Sequence, residues 1–402
     1  MKFAVILGDG MADWPVEELG GKTPLDAAHH PVMDQLASDG EFGLVKTVPD
    51  GMKPGSDTAN LSVFGYDPKR YYSGRSPLEA ASLGIPLVET DVTYRCNLVT
   101  LSGEADIADT TMLDYSAGEI STEEARELIL FLDERLAGEQ ARLYPGFSYR
   151  HCLVLNCADT GAELMPPHDF SGKPVAGRLP QGANARLLMR WMTEAHLLLK
   201  DHPVNQRRVA AGQNPANAIW FWGEGRKPTL TPFFKKTGLR GAVISAVDLI
   251  QGIGRCAEME VVKVEGATGT YETNFAGKAA AAINALSRGA DYVYLHIEAA
   301  DECGHHGQLR EKIYSIEQID DTVLKPIYEY LEGTGEDYVI LVLPDHPTPL
   351  QIRTHSAEPV PFALYRKGDS AGKAVRYTEN DAKTTGVFID TGFHLIDRMR
   401  HV

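Results

Sequence analysis

Carboxylate and imidazole side chains recur in this chain directly after short hydrophobic runs. Asp301 and His305 lie four residues apart after one such run, a spacing that can aim an oxygen and a nitrogen at one cation. The full set that follows three runs is Asp9, Asp301, His305, Asp345, His346 and, nine residues further on, His355. Mixed imidazole and carboxylate ligands suit Zn²⁺, Mn²⁺ or Fe, whereas an all-oxygen set would suit Mg²⁺ or Ca²⁺. The repeated placement indicates a metal site, although each residue alone could equally be an ordinary loop or core residue.

The three hydrophobic runs are predicted to be buried strands that end at one edge of a sheet. They are Phe3–Leu7, Tyr292–Ile297 and Tyr338–Leu343. Strand and helix patterns alternate from 242 to 346, which predicts right-handed βαβ units and a mainly parallel sheet. Ligands and catalytic groups collect at the carboxyl ends of such strands. After the second run we expect a loop, in which Gly304 and Gly307 permit a tight turn.

A serine at a predicted helix start is the candidate nucleophile. Pro54-Gly55-Ser56-Asp57 marks a loop that becomes a helix. The local sequence alone favours a plain N-cap role for Ser56. A hydroxyl beside unpaired N–H groups at the positive end of a helix also suits phosphate.

The chain is expected to contain two domains, one of them inserted into the other. The strand and helix pattern changes near 95 and returns near 238. We therefore predict an α/β domain formed by residues 1–95 and 238–402, with a mainly parallel sheet flanked by helices. Residues 96–237 mix antiparallel pieces with helices and are predicted to form an α+β insert.

Composition limits the possible partners and compartment. The 402-residue chain has a formal net charge of −16, which argues against nucleic acid or an acidic membrane as a general partner. Its five cysteines form no CxxC pair, as expected in a reducing cytoplasm. The N-terminal apolar run is too short for a signal peptide or a membrane span.

The motifs and their order resemble the alkaline phosphatase superfamily, and within it the archaeal-type cofactor-independent phosphoglycerate mutases. The resemblance runs almost end to end. Besides the motifs above, it includes Ser73-Gly-Arg-Ser-Pro-Leu-Glu-Ala, His202-Pro-Val-Asn, Pro215-Ala-Asn-Ala-Ile-Trp and Gly266-Ala-Thr-Gly.

This resemblance implies two divalent metal ions and a serine nucleophile. One metal would be held by Asp301, His305 and His355, and the other by Asp9, Ser56, Asp345 and His346. Mn²⁺ or Zn²⁺ is expected, with Co²⁺ or Mg²⁺ as further options. Phosphate would pass through Ser56 to interconvert 3-phosphoglycerate and 2-phosphoglycerate, without bisphosphoglycerate.

The inserted domain would then close over the metal domain and bind a small phosphorylated hydroxy acid. Arginine pairs bidentately with carboxylate and phosphate, so arginines are expected on its binding face. The candidates are Arg150, His168, Arg178, Arg207 and Arg208, each of which could instead be a solvated surface residue. Arg75 and Lys278, expected in the metal domain, are weaker candidates.

Three other functions remain open from the sequence. A homoserine-phosphorylating enzyme of threonine biosynthesis could use the same fold, although the chain has no GxxxxGK[ST] loop for ATP. A metal-dependent phosphomonoesterase would share the metals and Ser56 but admit water. A non-catalytic scaffold would have no need of seven candidate ligands.

Overall fold

A computed structural model describes residues 1–103 and 106–401 of the chain. The strands are β1 Lys2–Gly8, β2 Glu41–Val45, β3 Val92–Leu101, β4 Met112–Asp114, β5 Ala141–Phe147, β6 Arg150–Leu155, β7 Ala162–Glu163, β8 Gln181–Gly182, β9 Ala218–Arg226, β10 Gly241–Ile244, β11 Glu260–Val262, β12 Tyr292–Ile297, β13 Tyr338–Leu343, β14 Val360–Arg366 and β15 Phe388–Ile389.

The α-helices are α1 Pro24–Ala27, α2 Pro31–Asp39, α3 Ser56–Val63, α4 Pro68–Tyr71, α5 Ser76–Ser82, α6 Thr122–Leu136, α7 Ala185–Leu199, α8 Pro203–Ala210, α9 Phe233–Thr237, α10 Asp248–Cys256, α11 Phe275–Ser287, α12 Ala299–His306, α13 Leu309–Gln318, α14 Lys325–Thr334, α15 Glu379–Thr384 and α16 Leu395–Arg400. Short 3₁₀ turns occur at Glu17–Leu19, Ile107–Asp109, Pro167–Phe170 and Gly392–His394, and a π-helical turn at Ile319–Leu324 joins α13 to α14. Among the described residues, no helix is both long and apolar enough to cross a membrane.

The chain divides into two compact units. The first unit is Met1–Tyr72 with Leu230–Val402, and the second is Ser73–Thr229. The sequence analysis expected the divisions after residues 95 and 237. The first boundary lies earlier because α5 packs on the second unit's sheet, where Ala80, Ile85 and Leu87 form a cluster with residues of β6. Residues before β3 therefore share a core with the insert.

The first unit is built on an eight-stranded sheet in the order β11-β10-β12-β1-β13-β14-β2-β15. All neighbouring pairs are parallel except those that β14 makes with β13 and β2. Residues of β1, β12 and β13 are almost completely buried, because helices cover both faces of a parallel sheet. The predicted α/β fold with a mainly parallel sheet is confirmed.

The second unit contains an antiparallel sheet in the order β4-β3-β6-β5, and β9 pairs with the other edge of β3. Alternate residues of β6 enter different cores, as the two-residue period of a strand requires. Leu153 and Leu155 pack in the core that contains residues of α6 and α7, whereas Cys152 and Val154 pack against residues of α5. The unit therefore has helices on both faces of its sheet.

Candidate functional site

The candidate metal ligands converge because three neighbouring parallel strands end at one edge of the first unit's sheet. Strand β1 pairs with β12 on one side and with β13 on the other. Asp9 follows β1, and Asp345 and His346 follow β13. The segment after β12 supplies Asp301, so the sheet order alone brings three carboxylates into one area.

The segment after β12 is a helix, α12, and the expectation of a loop there was wrong. Residues four apart on a helix lie on one face, and His305 Nε2 lies 3.2 Å from Asp301 Oδ2. Gly304 is needed for close packing, since a Cβ atom would lie 2.5 Å from the carbonyl oxygen of Thr348. Gly307 ends the helix with a left-handed φ of 69°.

A first group of donor atoms surrounds Asp301. His355 Nε2 lies 3.4 Å from Asp301 Oδ1 and 2.9 Å from His305 Nε2. His346 also contributes, because Asp301, His346 and His355 each offer a ligand atom within 4.8 Å of the others. His305 Nδ1 lies 3.0 Å from the carbonyl oxygen of Arg353, which can only accept, so the neutral ring would keep its Nε2 lone pair for a cation.

A second group is formed by Asp9, Asp345 and His346, whose ligand atoms also lie within 4.8 Å of one another. His346 Nε2 lies 3.7 Å from Asp9 Oδ1 and 3.4 Å from Asp345 Oδ2. Ser56 Oγ lies 3.2 Å from the same nitrogen and donates to Asp9 Oδ2 at 3.3 Å. His346 thus belongs to both groups, and the structure brings together all seven residues proposed from the sequence.

Ser56 is the first residue of α3 and does not cap it. The N-cap position is Gly55, and no side chain makes a capping hydrogen bond there. The plain N-cap interpretation of the local sequence is therefore wrong. The hydroxyl faces Asp9 and His346 instead, beside the N-terminus of the helix.

Buried hydrogen bonds fix the orientation of the carboxylates. Asn60 Nδ2 donates to Asp345 Oδ2 at 2.9 Å and to the carbonyl oxygen of Ser56 at 2.8 Å, while Tyr294 Oη donates to Asn60 Oδ1 at 2.6 Å. Thr348 Oγ1 donates to Asp301 Oδ1. These contacts tie the serine-bearing helix to the ends of β12 and β13, so the site is held rigidly.

The electrostatics of the site favour a cation. Burial, together with repulsion from Asp345 and Asp301, raises the pKa of Asp9 well above its ordinary value. Burial also raises the pKa of Asp301, but the neighbouring imidazole rings of His305, His355 and His346 outweigh it and lower that pKa. Three carboxylates within one buried cluster repel one another, and a divalent ion would relieve this repulsion.

Two further observations indicate that the residues present fit a metal ion. Asp9 Oδ1 is buried and has no hydrogen-bond partner among the described residues. The Nε2 atoms of His305 and His355 face each other at 2.9 Å, as nitrogen lone pairs would around a shared cation. A mixture of imidazole and carboxylate donors is the chemistry of Zn²⁺ and Mn²⁺ sites.

His296 is a residue of this site that the sequence analysis missed. It lies in β12, is completely buried, and its Nε2 is 3.0 Å from Asp9 Oδ2. Burial lowers its pKa to about 4, so the ring is neutral at pH 7. The signal that could have revealed it is a histidine within an otherwise apolar strand, since a buried imidazole needs polar partners.

The structure separates the five substrate-binding candidates of the second unit. Arg208 is only 3% exposed and donates to Glu124, to Asn214 O and to Ala117 O, so it serves the fold. Arg207 pairs at the surface with Glu127, 3.6 Å away. Arg178 donates to the carbonyl oxygens of Pro174 and Ala176.

Arg150 and His168 instead belong to a group that we call the basic–aromatic cluster. Its members are Arg75, Glu79, Arg95, Arg150, His168 and Trp222. Both Arg75 and Arg95 approach Glu79 at 2.9 Å. The Arg95 guanidinium lies 4.0 Å from the Trp222 ring centre, and the His168 ring lies 5.1 Å from it. Arg75, expected in the metal domain, thus belongs to the second unit.

The charged groups of this cluster lie close enough to shift one another's pKa values. Burial lowers the pKa of Arg95 to about 10, and Arg75 and Arg150 contribute to the lowering. Burial raises the pKa of Glu79, but Arg95 and Arg75 outweigh it, so the pKa is lowered. Three guanidinium groups against one carboxylate leave a net positive surface that suits an anion.

Comparison with known proteins gives consistent results. A family model described as 2,3-bisphosphoglycerate-independent phosphoglycerate mutase matches residues 37–205. A protein of that name from Methanothrix thermoacetophila is 51% identical over 98% of both chains, and a probable one from Geobacter sulfurreducens is 50% identical over 99% of both.

Solved structures agree with these relatives. A Pyrococcus horikoshii protein superposes with a TM-score of 0.81 at 30% identity, covering 99% of this chain and 96% of its own. A cofactor-independent phosphoglycerate mutase from Thermoplasma acidophilum gives a TM-score of 0.69 at 27% identity, covering 100% and 99%.

Proposed function

Since the chain belongs to the 2,3-bisphosphoglycerate-independent phosphoglycerate mutases and is an isomerase, we propose that it moves phosphate through Ser56 in a metal-dependent reaction. The observation that carries this proposal is the position of the serine hydroxyl. Its oxygen lies 3.3 Å from Asp9 Oδ2 and 3.2 Å from His346 Nε2, and the other oxygen of Asp9 lacks a partner among the described residues.

Two divalent ions would be held by the two donor groups around Asp301 and Asp9. Asp301, His305 and His355 would hold one, Asp9, Ser56, Asp345 and His346 the other, and His346 lies close enough to serve either. When bound, such ions lower the pKa of a serine hydroxyl and offset charge on phosphoryl oxygens. Mn²⁺ or Zn²⁺ fits the donor set best, with Co²⁺ or Mg²⁺ as alternatives.

The chain's own residues supply the two transfer steps. Ser56 Oγ forms a bond to phosphorus as the ester P–O bond breaks, and the hydroxyl proton passes to the departing glycerate oxygen. After the glycerate reorients, its other hydroxyl forms a bond to phosphorus as the P–Oγ bond of the phosphoserine breaks, the proton of that hydroxyl returns to Oγ, and the isomer is released. No bisphosphoglycerate is consumed, which agrees with the names of the relatives.

We propose that the basic–aromatic cluster binds the anionic groups of the substrate. Its positive charge and planar guanidinium groups match a carboxylate or a phosphate. Arg150 and His168 remain substrate-binding candidates and are joined by Arg75 and Arg95. Arg178, Arg207 and Arg208 are left out, because their hydrogen bonds and ion pairs among the described residues are with groups outside this cluster.

The second unit is proposed to retain glycerate and exclude water between the two steps. Water that reached the phosphoserine would hydrolyse it, and the enzyme would then be a phosphomonoesterase. Closure of such a lid is a common way to protect an intermediate.

The five cysteines are free thiols, which supports our proposal that the enzyme works in a reducing cytoplasm.

Replacing the nucleophile tests the function. In Ser56→Ala we expect isomerisation to fall by several orders of magnitude while the fold is kept, because no capping bond is lost. Ser62→Ala in the same helix is the matched control and should stay active. Wild-type enzyme quenched during turnover should carry phosphate on the peptide that contains Ser56. Near-normal isomerisation by Ser56→Ala would refute the phosphoserine route.

An activity panel separates the alternatives. Metal-loaded enzyme should isomerise 3-phosphoglycerate without bisphosphoglycerate, release little phosphate and fail to phosphorylate homoserine with ATP. If Ser56 is phosphorylated but every ester is merely hydrolysed, the metal site stands and the lid proposal falls.

A further inference from the structure

His296 is placed between the candidate metal site and a neighbouring strand by the register of the sheet. In β12 it pairs with Leu7 of β1, two residues before Asp9. On the other side, Leu295 pairs with Ile244, the last residue of β10, so Ser245 follows beside His296. A completely buried imidazole therefore has a hydroxyl on one side and a carboxylate on the other.

The hydrogen bonds around His296 indicate which ring nitrogen donates and which accepts. Ser245 Oγ accepts from the backbone N–H of Val247 at 3.0 Å, so its own O–H is available to donate. It lies 3.2 Å from His296 Nδ1 and can donate to that nitrogen. Nε2 carries the ring proton and donates to Asp9 Oδ2 at 3.0 Å, because a carboxylate can only accept. In the other tautomer, the lone pair of His296 Nε2 would face a lone pair of Asp9 Oδ2.

This donor acts on one oxygen of Asp9 and leaves the other available. Oδ2 receives His296 Nε2–H and the Ser56 hydroxyl, whereas Oδ1 has no partner among the described residues. The carboxylate is thus prevented from rotating, with Oδ1 turned toward His346 at 3.7 Å. Supporting hydrogen bonds of this kind commonly set the affinity of a metal site.

We propose that His296 is a positioning residue of the transfer reaction, which orients Asp9 toward a metal ion and the serine hydroxyl, and that Ser245 selects the tautomer it needs. The inference rests on the proposed metal-dependent function. A buried histidine that only filled space would act through its volume, whereas this role depends on a donor at the Nε2 position.

Two substitutions distinguish these roles. His296→Gln places an amide N–H near the position of Nε2, four bonds from Cα, and can still donate to Asp9. His296→Asn is also polar but carries its N–H near the position of Nδ1, too far back to reach Asp9. We expect Mn²⁺ affinity, measured by calorimetry, to stay within a few-fold of wild type in the Gln variant. In the Asn variant it should fall by about 10- to 100-fold.

Kinetics and spectroscopy add readouts that loss of packing would not produce. At saturating Mn²⁺, the Asn variant should lower kcat and leave the KM for 3-phosphoglycerate unchanged, because the known contacts of His296 do not include the basic–aromatic cluster. ¹⁵N NMR of metal-free, histidine-labelled enzyme should show the Nε2–H tautomer at His296, assigned by its loss in His296→Gln. Ser245→Ala should make that signal a mixture of tautomers.

The outcomes separate failure of the inference from failure of the function. Equal Mn²⁺ affinity in folded Gln and Asn variants, or an Nδ1–H tautomer in wild type, would overturn the role of His296. If the variants do not fold, as judged by circular dichroism, the wild-type tautomer and Ser245→Ala still decide the question. Wild-type enzyme that binds no divalent metal would overturn the proposed function and this inference with it.

Discussion

Replacing Lys312 with methionine tests a buried ion pair that holds the chain beside the candidate site. Lys312 Nζ donates to Asp13 Oδ2 at 2.6 Å and to Thr348 O at 2.8 Å, and both charged side chains are 0% exposed. Removing one partner of a buried pair costs about 3–5 kcal/mol, because the remaining charge is left uncompensated.

The lower end of that range applies here. Asp13 would keep backbone donors, since Trp14 N lies 2.7 Å and Leu350 N 3.3 Å from its carboxylate. A loss of about 3 kcal/mol in a domain of this size corresponds to a fall in Tm of about 6–12 °C. Calorimetry and far-ultraviolet circular dichroism would measure it, in the presence of saturating Mn²⁺ so that metal loss does not contribute.

Lys325→Met is the matched control, because Lys325 pairs with Asp321 at 3.0 Å with both side chains about half exposed or more. Solvent screens an exposed pair of this kind, which therefore contributes little stability, so Tm should fall by no more than about 2 °C. The double variant Asp13→Leu with Lys312→Met should lose less than the sum of its parts, since no buried charge remains. A Lys312→Met variant that melts within about 2 °C of the Lys325→Met control would refute the reasoning.

Three other outcomes are expected. Arg150→Met should raise the KM for 3-phosphoglycerate about 10- to 100-fold through loss of a charged donor, while Arg207→Met should not; equal steady-state KM values would contradict the cluster. Burial lowers the pKa of His30, but Asp34 outweighs it and the pKa is raised, so the stability it contributes is complete below about pH 6.5 and is lost as pH rises through the folded pKa. The free energy of unfolding, measured with denaturant, should therefore fall more from pH 6 to pH 9 in wild type than in His30→Gln. Equal losses in the two proteins would argue against the His30–Asp34 pair. Chelation should abolish isomerisation, and Mn²⁺, Zn²⁺ or Co²⁺ should restore it; elemental analysis finding one ion or fewer per fully active chain would count against two metals.

The strands and their terminal carboxylates were predictable because the information is local. A run such as Tyr338–Leu343 is apolar at every position, which is typical of a strand buried on both faces. Once such strands are parallel and adjacent, the residues that follow them must meet at one edge. Asp9, Asp345 and His346 could therefore be assigned to one site without knowledge of any side-chain contact.

The local sequence pattern did not predict which residues and elements position the candidate ligands. His296 looked like part of an apolar strand, and its role depends on Ser245 and Asp9 from two neighbouring strands. Likewise, the helix that carries Asp301 and His305 was interpreted as a loop, because its two glycines suggest turns.

The arginines proposed to bind substrate show most clearly what only the tertiary structure decided. Arg95 of β3, which the sequence analysis did not single out, joins Trp222 of β9, more than a hundred residues away in the chain. Arg208, a candidate from the sequence, is instead buried in contacts with Glu124 and two carbonyl oxygens. Burial of an apolar strand follows from its own composition, so the sequence by itself determined the sheet and the edge where the candidate metal ligands gather. The partner of a long charged side chain depends on which distant elements pack beside it, and that is set only when the whole chain has folded.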